Sequence, residues 1–118
     1  MPQITVDYSE PLAGAFDRRG FALALHTMVV ETAAAGIDAC KTRFRPTDDI
    51  VVGAEESGHA LVHVTLALLP GRTPETKAAL TERTLGLLRA HLKPVAGLTL
   101  HASAEVRDLD ASYQKFVD

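Results

Sequence analysis

The chain of 118 residues contains a single cysteine, no tryptophan and only six aromatic residues, two Tyr and four Phe. Cys40 alone cannot make an internal disulfide, and no Cys/His set has the spacing of a structural zinc site. Basic residues are scarce: 12 Lys and Arg against 15 Asp and Glu leave a formal net charge of −3. That balance argues against a nucleic-acid binder, whose phosphate contacts need a basic face. No apolar run approaches the roughly 18 residues of a membrane span, and MPQITVDYSE lacks the charged and apolar regions of a signal peptide. There is no phosphate-binding glycine loop, no G-x-S-x-G and no H-E-x-x-H. These absences predict one soluble, cytoplasmic domain over residues 1–118, with neither a nucleic-acid nor a membrane partner. A chain of this length buries roughly two-thirds of its unfolded surface.

What is present is periodic. Ile4, Val6 and Tyr8 alternate with Gln3, Thr5 and Asp7, the period of a half-buried strand. Ser9 and Pro11 end it and open an amphipathic helix expected from about Pro11 to Ala35. Its stripe is Phe16, Leu23 and Val30 at spacing seven, widened by Leu12, Leu25 and Met28, with Gly20 weakening the helix and Gly36 stopping it. A short strand around Cys40–Arg45 is followed by a loop through Gly53–Gly58. His59–Leu69 is the clearest strand, with Ala60, Val62, Val64, Leu66 and Leu68 on one face and His63 and Thr65 on the other. Pro70-Gly71 turns the chain, Thr73 stands where an N-cap belongs, and Pro74 takes the first helical position. This second helix is expected to reach about Leu92, burying Leu80, Leu85, Leu88 and Leu92 before Pro94 bars continuation. A last strand, about Leu98–Arg107, turns Leu98, Leu100, Ala102, Ala104 and Val106 to the core.

The order β-α-β-β-α-β predicts an α+β fold with a four-stranded sheet. Parallel strands joined by helical crossovers place both helices on one sheet face. The other face mixes polar and apolar residues and is left to solvent or to a neighbouring subunit. The two halves share element order without a residue-level repeat.

Chemistry concentrates at few positions. An initiator methionine is usually trimmed before a small second residue, and its loss here leaves Pro2 with a secondary amine. An ordinary α-amino group titrates at about 7.7–8.0, and burial beside cations lowers that value. Such an amine is a general base near neutral pH without a histidine; the plain alternative is that Pro2 merely follows Met. Arg72 lies between a strand end and a helix start, on the rim where open sheets place ligands. Its planar fork suits a carboxylate, or it is a solvated loop residue. Lys41, Arg43 and Arg45 alternate onto one side of the short strand, either to concentrate positive potential or to protect an edge. His59 and His63 lack a carboxylate at metal spacing, and Cys40 lacks a neighbour that activates its thiol. Asp7, Glu31, Glu55, Glu56 and Glu105 are scattered, so no carboxylate pair stands out.

Four segments together carry a resemblance: Met1-Pro2, the strand Ile4–Ser9, Leu61-Val62-His63-Val64-Thr65-Leu66, and Gly71-Arg72-Thr73. In this combination and at these separations, the chain resembles the 5-carboxymethyl-2-hydroxymuconate delta-isomerases of the tautomerase superfamily, from Pro2 to about Lys115. The resemblance implies a homotrimer with sites near subunit interfaces, no metal or organic cofactor, and a small anionic substrate. The activity implied is isomerisation of an unsaturated 2-hydroxy di- or tricarboxylate to its 2-oxo form in aromatic catabolism. Pro2 matches the family's amino-terminal proline and Arg72 the arginine of its G-R-[ST] segment. A further family arginine falls at Lys41, a departure that keeps charge but loses the bidentate fork; Arg43 or Arg45 supplies that fork instead, or the substrate differs. Keto-enol tautomerase, decarboxylase and dehalogenase relatives use the same proline, and Ile37-Asp38 after Gly36 disfavours the first. A non-catalytic module that binds small acids or assembles with partners is the alternative of a different class.

Overall fold

In the computed structural model, which describes residues 1–118, the two best alternating segments form the middle of a mixed sheet. β1 (Gln3–Ser9) buries Ile4, Val6 and Tyr8, and β3 (His59–Leu68) buries Ala60, Val62, Val64, Leu66 and Leu68. They pair antiparallel, Ile4 opposite Leu66 and Val6 opposite Val64, so both apolar sets share one face. β2 (Lys41–Thr47) adds parallel to β1 and β4 (Thr99–Asp108) parallel to β3, giving the order β2-β1-β3-β4. α1 (Arg18–Ala33) and α2 (Pro74–His91) pack on each other and close the core over that face. The expected α+β arrangement, with both helices on one side of four strands, is the one observed. Of the six aromatic rings, Tyr8, Phe16, Phe21 and Phe44 gather near the carboxyl end of β1, with centroids 5.6–6.4 Å apart and mostly edge-on, the geometry ring quadrupoles favour. No helix is long and apolar enough to cross a membrane.

The first helix departs from expectation by being broken. A short 3-10 helix spans Glu10–Ala15, and α1 starts afresh at Arg18 with Asp17 as its N-cap. The break serves two sets of backbone groups. Asp17 Oδ1 accepts from the Gly20 N–H at 3.1 Å, while the Asp17 and Lys93 N–H groups donate to His91 and Ala15 carbonyls, each at 2.9 Å, tying this corner to the end of α2. Because Phe16 lies outside the helix, its seven-residue series does not run down the buried face. Leu25 and Met28 are buried as expected, joined by Phe21, Val29 and Ala33, whereas Leu23 is 65% exposed. α1 also stops earlier than Gly36, with Ala34 in the left-handed region at φ 55.

α2 begins as expected: Thr73 Oγ1 accepts from the Thr76 N–H at 3.1 Å, and Pro74 follows. Its buried residues are Leu80, Thr84 and Leu88, whereas Leu85 and Leu92 are half-buried. Thr84 is tolerated inside because its hydroxyl donates to the Leu80 carbonyl at 2.7 Å. β4 is the other departure. Leu98, Ala104 and Val106 pack against the core, but Leu100 is 43% exposed and Ala102 is exposed as well. An edge strand has a neighbour on one side only, and the helix layer leaves its amino half uncovered.

The Asp17 cap gives a specific expectation. A Cβ built at Gly20 collides with the Asp17 carboxylate, so a side chain there and the cap are mutually exclusive. Asp17→Ala should cost about 1 kcal/mol. Gly20→Ala should be near neutral alone, its helix-propensity gain of about 1 kcal/mol offset by the displaced cap, and should stabilise by about that amount in the Asp17→Ala background. Urea unfolding of the four proteins measures this, and equal effects in both backgrounds would contradict it.

Candidate functional site

Because β1 and β3 are antiparallel, the amino end of β1 meets the carboxyl end of β3, with Gln3 opposite Ala67. β2 starts at the same rim: Lys41 pairs with Gln3, and its N–H donates to the Pro2 carbonyl at 3.1 Å. α1 ends there too. Met1, Pro2, Ala34–Gly36, Leu68, Leu69 and Arg72 enclose a concavity of about 190 Å³, with Pro2 itself buried. No acidic residue lines it.

Arg72 is held by the chain ends around it. Gly71, at φ 118, adopts a backbone open to glycine and turns the chain after β3. The Arg72 guanidinium then folds back, Nη1 donating to the Leu69 carbonyl at 3.0 Å, and Nε and Nη2 to the Ala33 carbonyl at 3.3 and 2.9 Å. Ala33 carries one of the carbonyls that a helix end leaves without a partner, and a cation at that end also suits the helix dipole. Three of the five guanidinium N–H groups are thereby engaged, leaving two for a ligand.

In the chain as it stands the terminal amine belongs to Met1, and the Pro2 nitrogen is an amide. Burial first, then the positive charge of Lys115 and of Lys41, hold the terminal amine's pKa below its ordinary 8.0; Arg72 adds to this and Cys40 opposes it. Three cations thus surround the amino terminus. Lys115 has no sequence signal: it lies in the tail after β4, brought back where the Gln3 side chain donates to the Tyr113 hydroxyl at 3.2 Å. Only the tertiary fold places Lys115 near the amine of Met1, at the other end of the chain.

The three basic residues of β2 are separated by the same register. Lys41 lies at the rim, its Nζ donating to the Ala39 carbonyl at 3.0 Å. Arg43 donates to Gln3 Oε1 at 2.7 Å, and Arg45 grips Asp7 with bonds of 2.9 and 3.2 Å. At a rise of about 3.3 Å per residue, Arg45 sits roughly 13 Å along the strand from Lys41. In one protomer, Pro2, Lys41 and Arg72 come together, and Arg43 and Arg45 line the open sheet face. On that face His59 bonds with His101 and Glu55, and His63 with Ser103 and Glu105. Cys40 is buried, and burial raises its thiol pKa while the terminal amine and Lys41 oppose the rise.

A buried amino end with a lowered pKa, beside a guanidinium with free donors and two ammonium groups, can move a proton while holding an anionic ligand. A family model described as 5-carboxymethyl-2-hydroxymuconate isomerase matches residues 2–116. A search of curated proteins finds no match. Among solved structures, the chain is similar to a 5-carboxymethyl-2-hydroxymuconate isomerase from Deinococcus radiodurans R1, with a TM-score of 0.75 and 20% identity over 97% of this chain and 88% of that one. It is also similar to a 5-carboxymethyl-2-hydroxymuconate delta-isomerase (TM-score 0.72, 14% identity, 100% and 89% covered). The Q0 fused 4-OT wild-type symmetric trimer gives a TM-score of 0.77 at 22% identity, covering 98% and 92%. At these identities the structural likenesses establish the fold, and the family model, spanning nearly every residue, establishes the rest: the chain belongs to the 5-carboxymethyl-2-hydroxymuconate isomerase family and is an isomerase of the tautomerase superfamily.

Proposed function

We propose that the chain is a cofactor-independent tautomerase acting on an unsaturated 2-hydroxy di- or tricarboxylate, such as 5-carboxymethyl-2-hydroxymuconate, and forming its 2-oxo isomer. The observation that carries this reading is the amino terminus itself, with Met1 half-buried and Pro2 buried at a rim of three cations that favour the neutral amine. Removal of Met1 moves that amine onto Pro2. The Pro2 nitrogen accepts the proton of the substrate's 2-hydroxyl, leaving a dienolate. It then returns the proton to a distal carbon of the conjugated chain, so an O–H bond is lost, a C–H bond is gained and the amine is regenerated. The unused donors of Arg72, with Lys41, hold the carboxylates and the developing oxyanion. Arg43 and Arg45 extend the positive strip on the open face, where a second protomer can bring them to a neighbouring site. A homotrimer accords with the symmetric trimer among the structural neighbours, and a cytoplasmic location with a small-acid substrate.

The direct test compares proteins of proven intact mass in an ultraviolet assay with a 2-hydroxymuconate-type substrate. Protein lacking Met1 should remove the enol absorbance rapidly, and protein retaining Met1 should not, because its Pro2 nitrogen is an amide. Equal rates would remove Pro2 from the mechanism.

The pH dependence follows from the same cations. The base works unprotonated, so kcat/KM should rise with pH to a plateau as the amine loses its proton, and the cations that lower the terminal amine's pKa should set where that rise falls. Removing positive charge by Lys115→Ala should move that rise to higher pH, with the larger loss of rate below neutrality and little change on the plateau. A rate that does not rise with pH, or a rise that Lys115→Ala leaves in place, would contradict the assignment.

A further inference from the structure

On the open face of the sheet, one cluster joins a nucleophile to a base. β3 and β4 run parallel in a register that sets His63 opposite Ser103, with Glu105 two residues further along the same face. Ser103 Oγ lies 2.6 Å from His63 Nδ1, and Glu105 Oε2 lies 2.7 Å from His63 Nε2. Arg107 Nε donates to the other Glu105 oxygen. That contact first, and then His63, holds the Glu105 carboxyl below its ordinary range, so at neutral pH it is ionised and can only accept. His63 Nε2 therefore carries the proton, which leaves Nδ1 to accept from the Ser103 hydroxyl. Asp7, opposite His63 on β1, does not compete for the imidazole because Arg45 holds it.

A hydroxyl bonded to a base that a third, ionised group orients is the arrangement that activates a serine. Here the carboxylate takes Nε2 and the hydroxyl Nδ1, the reverse of the common assignment, but either ring nitrogen serves once the other is fixed. The side chains of His63 and Glu105 are 37% and 36% exposed and Ser103 is exposed, so an ester can reach the hydroxyl. The same openness sets the substrate class. The concavities lined by Leu88, Phe16, Met28 and Pro2 all lie elsewhere. An open surface offers no slot for a long acyl chain and little shielding for an oxyanion, so the acyl group must be short and the leaving group good. The geometry points to Ser103 and His63 as a second catalytic site of this chain, a nucleophile and its base for hydrolysing activated carboxylic esters, with Glu105 and Arg107 as positioning residues. Ser103 Oγ bonds to the ester carbonyl carbon while its proton passes to His63 Nδ1. The bond from that carbon to the leaving oxygen breaks, and the proton follows the leaving group. Water then attacks the acyl-serine, its proton passing through His63 to Ser103 Oγ as the acyl bond breaks. One ester and one water thus give one acid and one alcohol. None of these groups takes part in the isomerisation proposed at Pro2, so neither reading depends on the other.

The test uses p-nitrophenyl acetate and a fluorophosphonate on the full-length protein. The acetate should be hydrolysed with turnover, and Ser103→Ala and His63→Gln should each lower kcat/KM roughly a hundredfold. Glu105→Gln should lower it about tenfold, and Glu105→Asp should recover part of that loss by restoring the charge. Far-ultraviolet circular dichroism checks that each variant keeps the fold. The fluorophosphonate should label Ser103 stoichiometrically, as located by peptide mass spectrometry, and the labelling should require His63. Labelling of Ser103 in protein carrying Pro2→Ala separates this site from the amino terminus. Absence of turnover, or a label that falls elsewhere, would overturn the proposal. So would hydrolysis unmoved by Ser103→Ala, the result of an imidazole acting alone.

Discussion

Replacing Pro2 by alanine, in protein whose mass proves Met1 absent, should lower kcat/KM by about 10² to 10⁴, the range general acid–base catalysis supplies. The substitution leaves a primary amine at the same point of the chain. It retains a titratable base but loses the ring that fixes the nitrogen lone pair against the substrate, together with the apolar surface that buries Pro2. The loss should therefore fall mainly on kcat, because the carboxylate contacts proposed for Arg72 and Lys41 would remain. Steady-state kinetics with the enol substrate measures this. Unchanged turnover would mean that the proton moves through another group. The stability of the variant serves as a control: Lys41 N–H bonds to the Pro2 carbonyl rather than to its ring, so that bond survives the change.

The second large effect is expected at Arg72, where two roles must be separated. Arg72→Ala removes the fork proposed to hold a substrate carboxylate and the growing oxyanion, which should cost roughly a hundred- to a thousandfold in kcat/KM. It also strips donors from the Ala33 and Leu69 carbonyls, which should cost about 1–2 kcal/mol of stability. Arg72→Lys keeps the charge but cannot bridge the two carbonyls and still present paired donors. It should therefore recover part of the activity, mostly through KM. Urea unfolding alongside kinetics distinguishes the roles. A loss of stability with kcat/KM intact would reduce Arg72 to a cap on α1, and a loss of activity with full stability would show that other groups satisfy those carbonyls.

Alternation was the strongest signal in the chain because it is written locally. Ile4-Val6-Tyr8 and Ala60 through Leu68 each define a buried face without reference to anything distant, and both faces are buried as read. The Thr73-Pro74 start of α2 is local in the same sense, a hydroxyl three residues from the N–H that it caps. The break before α1 was legible in principle, since Asp17 is a residue type that favours the N-cap position. The seven-residue series through Phe16 and Leu23 obscured it. β4 shows the limit of pattern. Its alternation divides one face from the other correctly, but whether a face is covered depends on how far α2 extends over an edge strand, and Leu100 stays exposed.

The sequence by itself determined the elements, the face that each strand buries, and the resemblance through Pro2 and Gly71-Arg72-Thr73. Those features follow from residue spacing and from motifs a few residues long. Only the tertiary structure decided that β1 and β3 run antiparallel, which brings the amino terminus, the end of α1 and Arg72 to one rim. The same register separates Lys41 from Arg45, leaving the first beside the terminus and the second bound to Asp7. It also returns Lys115 to the amine that it helps keep neutral. Periodicity records what a segment buries but not which segment lies beside it. The electrostatics of this site depend on that second fact, because the amine's pKa is lowered first by burial and then by charges that are neighbours only in space.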